Sequence, residues 1–171
     1  MNARRLVIGL TVMMLAGCAG QREQPSAPPP TVLPSALGAD RYLEQAASAS
    51  LFMIRASDLA ATRSRSAAVR AFAASARADH EGIGAQLSFA GRRLDLLPSA
   101  TLLPAHQAML SALAASPAFD GDYRRTVERV LGDDYALHAA FARSGSSPTL
   151  RPVATMATPI VGRELAAARR L

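Results

Sequence analysis

The sequence predicts an all-α fold, an antiparallel bundle of four main helices plus one short helix. Three observations predict it. Alanine is abundant, aromatic residues make up 5% of the chain and Trp is absent, a composition that favours helices packed closely through small side chains. Apolar residues recur at steps of three and four through long stretches, laying one stripe along each helix. The links between the long stretches are short, so successive helices must double back on one another. No segment repeats, none alternates with strand periodicity over a useful length, and no glycine-rich phosphate loop is present.

The clearest element runs from Ser66 to Arg92. Its stripe is Val69, Phe72, Ala76, Ile83, Leu87 and Ala90, with Ser66 placed to cap the first turn. His80 falls inside that stripe, four residues after Ala76 and three before Ile83. Asp79 lies about 100° round the helix, on the other border of the same face.

The preceding helix is expected from Asp40, as N-cap, to about Thr62, with a stripe through Leu43, Ala47, Ser50, Ile54 and Ala61. Ser64-Arg65-Ser66 reads as the turn between the two. Beyond Gly91, the prolines at 98 and 104 bracket an irregular connection. A short helix follows over Ala105 to Ala115, with His106, Met109, Leu110 and Leu113 spaced for partial burial. Phe119-Asp120 opens the next long helix, with Asp120 as its N-cap and a stripe through Tyr123, Val127, Val130, Asp134, Leu137 and Phe141. That stripe puts Asp134 on the apolar face and His138 four residues later on the same side. Gly132 weakens the centre of this helix by about 1 kcal/mol relative to Ala. The last helix is expected to start with Ser147 as cap and Pro148 at the first position. Its stripe is Leu150, Val153, Ala157, Val161, Leu165 and Ala168, and Pro159 should kink it.

Before these helices the chain carries a leader. Arg4 and Arg5 precede an apolar run from Leu6 to Ala16, followed by Gly17 and Cys18. A run of about a dozen residues is a secretory signal rather than a spanning helix, which wants nearer ~20. Leu15-Ala16-Gly17-Cys18 resembles the bacterial lipoprotein box. That resemblance implies cleavage after residue 17, lipidation of Cys18 and a stable anchor, since several acyl chains hold far more firmly than one. Ala19 resembles the default for sorting to the outer membrane. The expected location is the cell envelope, facing the periplasm, on the outer membrane of a Gram-negative bacterium. Residues 18–38 are rich in Pro, Gln and Ser and read as a disordered tether. The domain then spans residues 39–171.

Composition narrows the function classes. The formal net charge is +6 and all 19 basic residues are Arg. Without the two arginines of the leader the excess is about +4, compatible with anionic lipid headgroups. No Arg cluster is interleaved with stacking aromatics, which argues against nucleic acid as a partner. The single cysteine excludes an intrachain disulfide framework and a Cys-based zinc site. No Ser sits in a nucleophile elbow, so no catalytic residue is expected.

Two polar pairs aim at the bundle interior. Asp79 with His80 is either half of a metal site or a histidine satisfied by a carboxylate or backbone carbonyl. Asp134 with His138 has the i, i+4 spacing of helical metal ligands, and is also an ordinary arrangement at the border of a buried stripe. If helices two and four touch, the pairs together supply two imidazoles and two carboxylates, and bundle cores are where such sites are built.

The run from Tyr42 to Leu171 resembles the bacterial domain of unknown function 4142, an envelope family placed among ferritin-like folds. The residues carrying the likeness are Val69 to His80, the Phe119-Asp120-x-x-Tyr123 motif, Ala136-Leu137-His138, and Ser144 to Val161. The resemblance implies a ferritin-like bundle, as the periodicity does for the helix count. It also exposes departures. Where the family commonly has a Glu in the first helix, a His eight residues after the motif tyrosine and a His near the end, this chain has Met53, Leu131 and Glu164. Those losses argue against a full di-iron centre. The function expected is a lipid-anchored, non-enzymatic helical module that binds an envelope partner or supports the envelope, with no cofactor. The alternative is a ferritin-like protein holding a divalent metal such as iron at a single site made by Asp79, His80, Asp134 and His138.

Overall fold

The computed structural model describes residues 37–171. The leader over residues 1–17, the lipidation site Cys18 and the tether up to residue 36 lie outside the described residues. Five helices follow: α1 (Ala39–Arg63), α2 (Ala67–Arg92), α3 (Pro104–Ala115), α4 (Phe119–Ser144) and α5 (Arg151–Ala168). Among the described residues there is no strand, and no helix is long and apolar enough to cross a membrane.

α1 and α2 form one hairpin and α4 and α5 another. The three-residue link after Arg63 forces the first reversal. In the second hairpin, Arg169 bonds Glu128 at 3.1 Å, and the ring of Tyr135, seven residues further along α4, lies beside Gly162, seven residues back along α5. Such mirrored steps mean the two chains run in opposite directions. The hairpins pack α1 on α4 and α2 on α5, so the four long helices form a ring in which α2 and α4 are diagonal. The condition that helices two and four bring their polar pairs together thus falls to two helices facing each other across the core and not to neighbours.

The caps differ from expectation in an instructive way. Ser66 does cap α2, accepting from Val69 N at 3.3 Å. Asp40 and Asp120 do not cap: the N-caps are Gly38 and Ala118, with no side-chain bond, and both aspartates lie in the first turn. There their charge still complements the exposed amides of the helix start. Ser147 accepts from Leu150 N at 3.3 Å, but that makes a single capped turn, and regular helix begins at Arg151 beside Pro152. α5 continues through Pro159 as one helix. Pro159 and Thr155 are both exposed, so the carbonyl left without a donor can face water.

The core stripe of α1 is rotated from the expected one. Leu43 and Ser50 of the expected stripe are buried, but Ala61 is exposed and Ile54 half-buried, and the buried face also takes in Tyr42, Ala46, Ala49, Met53, Ala56 and Ala60. Both patterns step by three and four, and alanines on every side of α1 blur which is the buried face. α2 and α4 keep their stripes. On α5 the buried residue after Val161 is Glu164, and Leu165 sits at the border.

α3 packs on α1 and α4. Arg63 fixes its end, donating to the carbonyls of Leu113 at 3.1 Å, Ala114, and Ser116 at 2.7 Å, while its guanidinium sits 5.0 Å over the Phe119 ring. Gly91 is where the chain after α2 folds back most tightly. Its carbonyl accepts from Leu94 N and Leu96 N, both at 2.9 Å. A Cβ there would collide with the Leu96 carbonyl and approach Leu43 to 2.9 Å, so only glycine fits.

Candidate functional site

The ring of four helices places a polar cluster in an otherwise apolar interior. α2 contributes His80, α4 contributes Asp134 and His138, and α5 contributes Glu164; none is more than 6% exposed. Each occupies a stripe position, so helical periodicity alone aims all four inward.

His80 is fully engaged. Its Nε2 lies 3.0 Å from Glu164 Oε2 and its Nδ1 3.3 Å from Ser50 Oγ. Burial pulls the pKa of this ring down, but the hydrogen bond and charge of Glu164, with smaller contributions from Asp134 and Asp79, carry it above the ordinary value. Burial raises the Glu164 carboxyl, against the opposing pull of His80. Both ring nitrogens of His80 are thus bonded, one of them to a carboxylate that the sequence offered only as a departure from a family pattern.

The second pair is the reverse. Tyr42 Oη meets His138 Nδ1 at 2.9 Å, and Tyr42 is held there by stacking on Phe141 at 3.8 Å. That leaves His138 Nε2, which faces Asp134 Oδ1 at 3.4 Å, too far for a good hydrogen bond. Among the described residues, neither oxygen of Asp134, nor His138 Nε2, nor Glu164 Oε1 has a hydrogen-bond partner. Burial pushes Asp134 up to about 7, with Glu164 adding to it and His80 opposing. Burial, reinforced by the charge of His80, drops His138 to about 4. Tyr42 is likewise raised by burial and by Asp134. Tyr123, also buried without a partner for its hydroxyl, is pushed up to about 12 by burial.

Of the residues singled out from sequence, His80, Asp134 and His138 thus come together in the core. Asp79 meets this group only at Glu164, whose carboxyl it helps to raise; it is half-buried and lines a cleft of about 380 Å³ with Phe72, Glu164, Arg163 and Arg170. His106, spaced for partial burial, is half-buried and bonds Ser48 Oγ through Nδ1 at 2.7 Å; burial lowers its pKa. Glu164 was legible only as a departure from a family pattern. The step from Ala157 through Val161 to Glu164 is as helical as the step to Leu165, and the apolar residue drew the stripe away from it. Met53 and Leu131, the other two departures, are fully buried and fill core positions with apolar side chains.

Buried polar atoms nearly always have partners, because an unpaired one forfeits its hydration. Here four unpaired carboxylate oxygens and ring nitrogens lie in one cluster. Imidazole and carboxylate together suit zinc, copper and iron. Among the described residues no three His, Cys, Asp or Glu side chains already converge as a metal-binding group. Asp134 Oδ1 and His138 Nε2 lie 3.4 Å apart, each without a hydrogen-bond partner among the described residues. Glu164 has an oxygen to spare.

The family described as Domain of unknown function (DUF4142) matches residues 23–171. No curated protein matches the chain. Among solved structures the fold is similar to that of CopM in the Cu(II)-bound form, with 13% sequence identity, a TM-score of 0.67, and coverage of 79% of this chain and 95% of that one. At that identity the likeness is one of fold.

Proposed function

The chain belongs to the family of Domain of unknown function (DUF4142), and from that premise we propose that it is a lipid-anchored cell-envelope protein whose ferritin-like bundle binds one divalent transition-metal ion. The observation that carries the reading is Asp134: a carboxylate at 2% exposure whose two oxygens have no partner, beside an imidazole with a free ring nitrogen. An ion bound there would supply the positive charge that this carboxylate lacks. Asp134 and His138 Nε2 are the first two donors, with Glu164 Oε1 as the third. Tyr42 orients the His138 ring through Nδ1, the kind of outer contact that fixes ligating histidines. His80, steadied by Ser50, holds the other Glu164 oxygen. Asp79 stands outside this donor set. The structural neighbour's Cu(II)-bound form makes Cu(II) the first ion to assay, with Zn(II) and Fe(II) beside it.

Equilibrium dialysis of the chain from Ala39 onward, without a His tag, tests this. One equivalent of metal is expected, and Asp134→Asn should abolish it. No bound metal in the unmodified domain overturns the proposal. It would leave the second reading, a metal-free bundle that binds an envelope partner, which the complete satisfaction of the His80 ring favours.

The envelope location rests on the leader. Cys18 follows Leu15-Ala16-Gly17 after a short apolar run, so Cys18→Ser should yield an uncleaved or soluble precursor. Detergent-phase partitioning unchanged by that substitution contradicts the anchor.

A further inference from the structure

Two clefts reach the buried cluster, and they differ in charge. The cleft between α2 and α5 touches Glu164, but Arg163 and Arg170 stand in its lining alongside Asp79. The other, of about 270 Å³, lies between α1, α3 and α4 and touches Asp134. The charged residues lining it are Asp133 and Asp134, accompanied by His106 and Gln45. Asp133 is exposed, whereas the side chain of Asp134 is wholly buried, so the cleft ends against the turn of α4 that carries the inner carboxylate. A mouth of single negative sign concentrates cations, while arginines repel them.

His106 is built into this cleft rather than merely near it. Leu103 N donates to Ser48 Oγ at 2.8 Å, and the same oxygen meets His106 Nδ1 at 2.7 Å. The imidazole is pinned through one nitrogen, and Nε2 is left as the nitrogen the protein does not use. Asp134 supplies the second, independent sign of a ligand, since neither of its oxygens has a partner among the described residues.

We propose that the cleft between α1, α3 and α4 is the port through which a divalent cation reaches the bundle interior, with Asp133 and His106 holding it at the mouth and Asp134 receiving it. This rests on the metal-binding reading above and adds the route. The ion exchanges part of its water shell for Asp133 and His106, then for the inner carboxylate. The mouth residues therefore govern the rate of uptake and not the final occupancy.

The test is stopped-flow mixing of the full-length chain in detergent with Cu(II), read by quenching of tyrosine fluorescence, which no Trp obscures. Asp133→Arg, which gives this mouth the character of the other cleft, should slow uptake by about tenfold or more. Asp133→Asn and His106→Gln should slow it less, and the final amount bound, read by dialysis, should stay the same in all three. Arg170→Ala should leave the rate unchanged. Circular dichroism confirms that each variant is folded, and the exposed Asp133 keeps the test independent of any packing loss at His106. Uptake at the unmodified rate in Asp133→Arg overturns the port, as does faster uptake in Arg170→Ala, which would assign the route to the other cleft. Loss of equilibrium binding in Asp133→Asn also overturns it, by making Asp133 a permanent ligand. All three outcomes leave metal binding itself standing. Absence of any Cu(II) uptake by the unmodified chain fails both readings together.

Discussion

Two histidine–carboxylate pairs occupy the same core and settle into opposite states. His80 and Glu164 come from different helices, meet at 3.0 Å, and both ring nitrogens are bonded; the geometry favours the imidazolium. Asp134 and His138 lie on one helix at i, i+4, 3.4 Å apart, and burial dominates at both, so that the ring falls to about 4 and the carboxyl climbs to about 7. Residue type does not decide protonation in a low-dielectric interior. A few tenths of an ångström, and the presence of a second hydrogen bond, do. The first pair is complete without a ligand, and the second is incomplete.

The sharpest way to break this comparison is at Asp134 in the metal-free protein. Its folded pKa of about 7 stands above the ordinary 3.8, so the native state prefers the protonated form. The resulting stabilisation is fully present below about pH 4 and is lost as pH rises through about 7. Asp134→Asn should therefore be near neutral at pH 4 and stabilising at pH 8, by as much as about 4 kcal/mol. Urea unfolding at the two pH values measures it. A substitution that destabilises equally at both would mean Asp134 has partners in solution.

At the first pair the sign reverses. His80→Leu strands the Glu164 carboxylate in the core and should cost about 3 kcal/mol. Adding Glu164→Leu should recover most of that loss, the coupling a double-mutant cycle reads directly. If His80→Leu alone proved neutral, the pair would not be the satisfied unit described above. The smallest effect belongs to Tyr42→Phe, which removes one neutral hydrogen bond from His138 and should cost about 1 kcal/mol. A loss as large as that of His80→Leu would show the two pairs to be one network.

Much of the helical layout was legible because long stripes on α2 and α4 leave a single buried face, and His80, Asp134 and His138 lie on those stripes. α1 was less so: its alanines make several faces equally apolar, and Tyr42, the partner of His138, fell outside the stripe drawn there. Glu164 was hidden by the neighbouring Leu165, since one position on a helix separates core from border. Asp79 and His80 are adjacent in sequence, yet about 100° of helical rotation sends one to a cleft and the other to the core. Spacing within one helix could not say that α2 and α4 are diagonal, because that depends on how two hairpins pack. The two aspartate caps were each misplaced by two residues, where an aspartate in the first turn offers the helix dipole much of what a capping aspartate would.

The central claim is that the orphaned pair on α4 awaits a cation. The most direct measurement is anomalous diffraction at the copper absorption edge from crystals of the domain grown with Cu(II). The account predicts one strong peak within bonding distance of Asp134 and His138 Nε2, with a Glu164 oxygen turned toward it and the His80 ring still against Ser50. Ordered water alone around Asp134, with copper absent from the bundle interior, would contradict it.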